Sequence, residues 1–205
     1  MKLAIIPILA ALSIASFLRE TNSHAAAKRG AAAFAKQDYK NATREYSTAR
    51  QQSPSPRSAF NLGTSQIAGG DRATGSATLA DAIREPSLRG DALFNRGNGA
   101  LEAKQYEQAI RDYSDALRAN PNHAAAKRNL EIALRKREEE KQRQSGGGSG
   151  QQKQQQQKQQ QQPQPKPAPK EGDNDAEALL RSVQQQEQEE MKRMKARAVV
   201  GKVGW

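Results

Sequence analysis

A glycine, an alanine, a tyrosine, a second alanine and a proline recur with one set of spacings at two places in this chain. Gly30 is followed by Ala42, Tyr46, Ala49 and Pro54, and Gly97 is followed at the same offsets by Ala109, Tyr113, Ala116 and Pro121. Gly63 lies between them, 33 residues after Gly30 and 34 before Gly97. Such a period accommodates two helices per unit and a turn. The small residues let paired helices approach closely, and the large ones fill the space around the contact. The proline ends the second helix and passes the chain to the next unit. A unit of this kind cannot bury its apolar face alone, so the pattern restricts the chain to a stack of helical hairpins.

The segments AKRGAAAFAKQDYKNATREYSTARQQSP and LFNRGNGALEAKQYEQAIRDYSDALRANP resemble the tetratricopeptide repeat (TPR) almost position by position. The middle segment departs from it. Gly75 stands where Ala42 and Ala109 stand, Leu79 replaces a tyrosine, and Arg72 replaces Tyr39 and Tyr106. A glycine inside a helix costs roughly 1 kcal/mol relative to alanine, so the second helix of this unit is expected to be the weakest. After Pro121, a helix-forming run turns wholly charged, as a solubilising cap should. The expected fold is all-α: a TPR domain over 26–143, with units at about 26–55, 56–89 and 90–123 and a capping helix over 124–143.

Asn61, Asn95 and Asn129 recur every 34 residues, and Lys28 takes their place in the first unit. The TPR resemblance implies that these positions line the concave face of the stack, with Phe60 and Phe94 one residue earlier and Thr64 and Asn98 one turn on. A primary amide both donates and accepts. Two readings follow: the amides pair with the backbone of an extended peptide, or each bonds locally to the neighbouring repeat. The peptide-binding set is Lys28, Phe60, Asn61, Thr64, Phe94, Asn95, Asn98 and Asn129.

The chain begins MKLAIIPILAALSIASFL. Lys2 precedes an apolar run over 3–18, and small residues follow. This is the layout of a secretory signal, with cleavage places after Ala25 or Ala15. Retention of 1–25 as an N-terminal anchor is the competing reading. Either way the protein is expected at the periplasm or the outer side of the inner membrane. No cysteine is present among the 205 residues, which excludes disulfides, thiolate metal sites and a thiol nucleophile.

Residues 144–173 are rich in Gln, Pro, Gly and Lys and carry no recurrent apolar position, so they are expected to be a disordered linker. Over 174–205, Leu179, Leu180 and Val183 begin a thin apolar stripe that reads as an amphipathic helix. The chain then ends on its only tryptophan, Trp205. Leu179, Leu180, Val183 and Trp205 form a candidate partner-docking tail.

The whole layout, with Leu179, Leu180, Glu187, Lys192 and Trp205 in the tail, resembles the TPR proteins of the aerotolerance (Bat) operons, of the BatC-like type. That resemblance implies a scaffold or adaptor of the cell envelope working beside membrane proteins with von Willebrand factor A (VWA) domains. The two histidines, His24 and His123, are isolated, and there is no phosphate loop, nucleophile motif or metal-spaced cluster. No catalytic residue, metal or cofactor is therefore expected. The formal charge of +11 leaves a second function open, attraction to anionic lipid or wall polymer at the membrane surface. Nucleic acid is not expected as a partner, because the aromatic and basic platform of single-strand binders is missing.

Overall fold

The computed structural model describes residues 5–146 and 171–200, with side chains over 20–144 and most of 175–192. The described residues form eight helices: α1 (Ile5–Ala35), α2 (Tyr39–Gln52), α3 (Pro56–Ala68), α4 (Arg72–Arg84), α5 (Pro86–Glu102), α6 (Tyr106–Ala119), α7 (Ala124–Gly146) and α8 (Glu171–Val200). Each of the pairs α1/α2, α3/α4 and α5/α6 packs as a hairpin, and consecutive hairpins stack.

Local chemistry sets the boundaries. Ser55 and Ser58 form a reciprocal capping box at the start of α3, and Pro56 and Pro86 occupy first turns, where no intrahelical N–H is needed. Asp38 and Asp71 accept from the backbone N–H groups of Asn41 and Thr74, capping α2 and α4. Inside each hairpin one turn residue has positive φ: Gln37 at 60°, Gly70 at 92° and Lys104 at 59°. Only Gly70 takes that conformation without a Cβ penalty.

The small-to-large pattern of the sequence is a set of contacts. A Cβ on Gly30 would lie 2.8 Å from the Tyr46 ring, and one on Gly97 would lie 2.7 Å from the Tyr113 ring. In the middle hairpin, a Cβ on Gly63 would meet Leu79 at 2.8 Å and the Gly75 carbonyl oxygen at 2.9 Å. A Cβ on Gly75 would meet Ile67 Cγ1 at 2.6 Å and the Gly63 carbonyl oxygen at 2.8 Å. Gly75 therefore has a packing role beside its propensity cost. The glycine lowers intrinsic helix propensity, but it is the residue that lets α3 and α4 come within backbone contact, where the other hairpins use alanine and an overlying tyrosine. Arg72, in the tyrosine position, reaches across to Glu102 on α5 with Nε at 3.2 Å and Nη2 at 2.9 Å.

The core follows the stack. Ala42, Tyr46 and Leu62 form one cluster. Ile67, Leu79, Ala82, Leu88 and Ala92 form a second. The third runs through α5, α6 and α7, and Ile83 touches both it and the second. Leu79, Leu117 and Leu130 are fully buried, each worth about 1.5–3 kcal/mol relative to exposure.

The third cluster includes two residues of α8, Ala176 and Leu180. The helix expected as a partner-docking tail lies on the chain's own body. Ala176, Leu180 and Val183 are buried, Leu179 packs beside them, and α8 rests against α6. Gln184 Nε2 donates to Glu131 Oε1 of α7 at 3.4 Å. Glu131 stands two residues past Asn129, where Gly30, Gly63 and Gly97 stand two residues past Lys28, Asn61 and Asn95. The α7 helix thus carries an exposed glutamate where the first three units carry a buried glycine.

Among the described side chains no helix is long and apolar enough to cross a membrane. The side chains of the apolar run 3–18 lie outside them, although the backbone continues as one helix from Ile5 into the first hairpin.

Candidate functional site: the face of the first helices

The helices α3, α5 and α7 pack side by side, and the register asparagines sit along their contacts. Asn95 Nδ2 donates to Thr64 Oγ1 at 2.9 Å. Asn129 Nδ2 donates to Asn98 Oδ1 at 2.8 Å. Both bonds span 31 residues and join the first helix of one unit to that of the unit before. Asn98 Oδ1 also accepts from the Tyr113 hydroxyl at 2.8 Å, and Asn129 Nδ2 lies 3.5 Å from that hydroxyl oxygen. Burial pushes the Tyr113 phenol far above its usual range, so it remains a neutral donor.

Of the two readings of the asparagines, the bond to the neighbouring repeat is present for Asn95 and Asn129. It is absent for Asn61. Asn95 uses one N–H in its inter-repeat bond, and Asn129 Nδ2 serves both Asn98 Oδ1 and the Tyr113 hydroxyl. The Oδ1 atoms of Asn95 and Asn129 and the whole Asn61 amide have no intramolecular partner among the described residues. Asn61, Thr64, Asn95, Asn98 and Asn129 are half-buried, and Lys28 is exposed. Polar groups held in fixed register at a partly desolvated surface bind with little reorganisation.

Phe60 and Phe94 are less available than the sequence reading has them. Phe60 packs against the second core cluster. The Phe94 ring lies 4.6 Å from the His123 ring and 6.0 Å from the Tyr113 ring. His123 in turn caps α7, its Nδ1 accepting from Ala126 N at 3.2 Å. Trp205 lies outside the described residues. Among the described residues, no group of three or more His, Asp or Glu could hold a metal ion.

The sequence reading missed one arrangement. Arg96 donates to both oxygens of Asp112, Nε at 3.0 Å and Nη2 at 2.6 Å, and Gln108 Nε2 donates to Asp112 Oδ1 at 3.0 Å. Asp112 is 1% exposed, and its hydrogen bonds favour the charged form of Arg96. Arg29 and Glu45 make the corresponding contact in the first hairpin at 2.8 Å. The signal was present in the chain: an Arg just before the hairpin glycine, and an acid just before the tyrosine, sixteen residues on. Arg72 and Arg96 also border a shallow concavity of about 840 Å³ between α4, α5 and the start of α6, floored by Ala73, Ala77 and Ala100. It lies apart from the asparagines.

Helical hairpins repeating every 33–34 residues, with glycine under tyrosine in the first and third and under Leu79 in the second, define an all-α helical-repeat fold of TPR type. Residues 90–123, which hold most of α5 and all of α6, match the tetratricopeptide repeat family, so the chain contains a TPR unit. No curated protein matches the chain. TPR units serve as scaffolds for protein–protein interaction.

Proposed function

We propose that this protein is a non-enzymatic adaptor of the cell envelope, whose first-helix face, concave in a TPR stack, holds an extended segment of a protein partner. One observation carries the reading: the amides of Asn95 and Asn129 are oriented by bonds to the preceding repeat, which leaves their oxygens to accept from a peptide's backbone N–H groups. A ladder locked in this way has already met the ordering cost that a flexible site meets on binding.

Export is supported by Lys2, the apolar run over 3–18 and the small residues Ser23 and Ala25. The resemblance of the tail to the aerotolerance-operon TPR proteins points to a membrane protein with a VWA domain as the partner.

Asn61→Ala tests the reading cleanly, because Asn61 makes no intramolecular hydrogen bond among the described residues. Loss of one defined partner from native envelope extracts, with unchanged thermal stability, is the expected result. Undiminished retention by the double variant Asn61→Ala, Asn95→Ala would overturn it.

A further inference from the structure

Where α5 meets α7, one oxygen closes the first-helix face: Asn98 Oδ1 takes a hydrogen bond from Tyr113 and another from Asn129. Where α1 meets α3, the same donors occur without the acceptor. Tyr46 follows Gly30 by sixteen residues, as Tyr113 follows Gly97. Asn61 is the sixth residue of α3, as Asn129 is of α7. The residue after Gly30 is Ala31, whereas Asn98 follows Gly97 and Thr64 follows Gly63.

The consequences are visible on both sides of this junction. Tyr46 is only 7% exposed, yet its hydroxyl has no partner among the described residues, and its oxygen is not sealed from solvent. The Asn61 amide likewise has none. The α1 and α3 helices touch at most slightly, much as α5 and α7 do, whereas α3 packs closely on α5.

We propose that this junction is a binding site for an amide oxygen of an incoming polypeptide, which accepts from the Tyr46 hydroxyl and Asn61 Nδ2 in the place that Asn98 Oδ1 fills two repeats on. The occupant is a neutral amide oxygen because the filled counterpart holds one between two neutral donors. Two donors at the edge of a packed core gain more from one well-placed acceptor than they would in open solvent. The oxygen comes from the peptide main chain or from an Asn or Gln side chain. This site rests on the reading of the first-helix face as peptide-binding.

The test follows the side-chain NH2 resonances of Asn61 and Asn95 in the full chain during titration. The probes are acetyl-tetraalanine amide, which has only main-chain amide oxygens, acetyl-tetraglutamine amide, which adds side-chain ones, and sodium acetate. A saturable Asn61 shift with both peptides indicates a main-chain oxygen, and a shift with tetraglutamine alone a side-chain oxygen. In either case Tyr46→Phe should weaken the response about fivefold, the loss of one ordinary hydrogen bond. Ala31→Asn, a change at an exposed helical position, should abolish it by supplying the missing oxygen from within. No saturable shift with either peptide, a response to acetate alone, or a shift that survives Ala31→Asn would each overturn the site. Movement of Asn95 without Asn61 removes this site and leaves the peptide face, whereas movement of neither removes both.

Discussion

The Tyr113 hydroxyl donates to Asn98 Oδ1 at 2.8 Å, a hydrogen bond between the second and first helices of one hairpin that also fixes the acceptor used by the next helix. Tyr113 is fully buried. Asn98→Ala leaves its hydroxyl without an acceptor and removes the Asn129 bond as well. The expected cost is about 1–3 kcal/mol, that of an unsatisfied buried donor. Tyr113→Phe, which removes the donor itself, should cost about 1 kcal/mol. Once Tyr113 is Phe, Asn98→Ala should cost less than it does alone. Urea unfolding of the two single variants and the double gives the coupling directly.

Gly75 and Gly90 should respond oppositely to alanine. A Cβ on Gly75 would collide with Ile67 and with the α3 backbone, so Gly75→Ala is expected to destabilise by about 1–3 kcal/mol despite its better helix propensity. A Cβ on Gly90 would meet nothing nearer than 3.5 Å, and Gly90→Ala should stabilise by up to about 1 kcal/mol. Denaturant midpoints of the two variants decide the matter.

The Arg96–Asp112 pair should be asymmetric. The Asp112 side chain is 1% exposed and that of Arg96 28%. Arg96→Met leaves a buried carboxylate with Gln108 as its remaining side-chain donor, at an expected cost of about 3 kcal/mol or more. Asp112→Ala leaves an arginine that can turn toward solvent, so it should cost less. Equal losses in thermal melts of the two variants would contradict this account of the pair.

The hairpins and their crossings were legible in the sequence because glycine, alanine and tyrosine recur at fixed offsets, and close packing leaves no other use for that pattern. The asparagines were legible as a register but not as a network. Whether a register asparagine bonds to its neighbour depends on what stands one residue past the preceding glycine, which is Thr64 for Asn95, Asn98 for Asn129 and Ala31 for Asn61. Arg96 and Asp112 were overlooked because charges on a helix are usually solvated, and depth cannot be read from one helix alone. The apolar stripe of α8 was visible, but its seat was not. That seat is built from α6 and α7, and only the assembled stack shows that their outer side is left uncovered.

The α8 helix should detach without unfolding the rest. It is held chiefly through Ala176, Leu180 and Val183, with one side-chain hydrogen bond, from Gln184 to Glu131, joining it to α7. Leu180→Glu is expected to raise protease cleavage and hydrogen exchange within 175–192 while leaving protection of α3 to α6 nearly unchanged. Global loss of protection would instead make α8 an integral part of the core.

The central claim is that the first-helix face receives an extended partner segment. A photo-crosslinking residue at Lys28, exposed and outside every inter-repeat bond described, tests it most directly in native cells. The account predicts adducts that map to one short extended segment of one envelope partner and that disappear with Asn61→Ala. Adducts scattered over many proteins, or unchanged by Asn61→Ala, would contradict it.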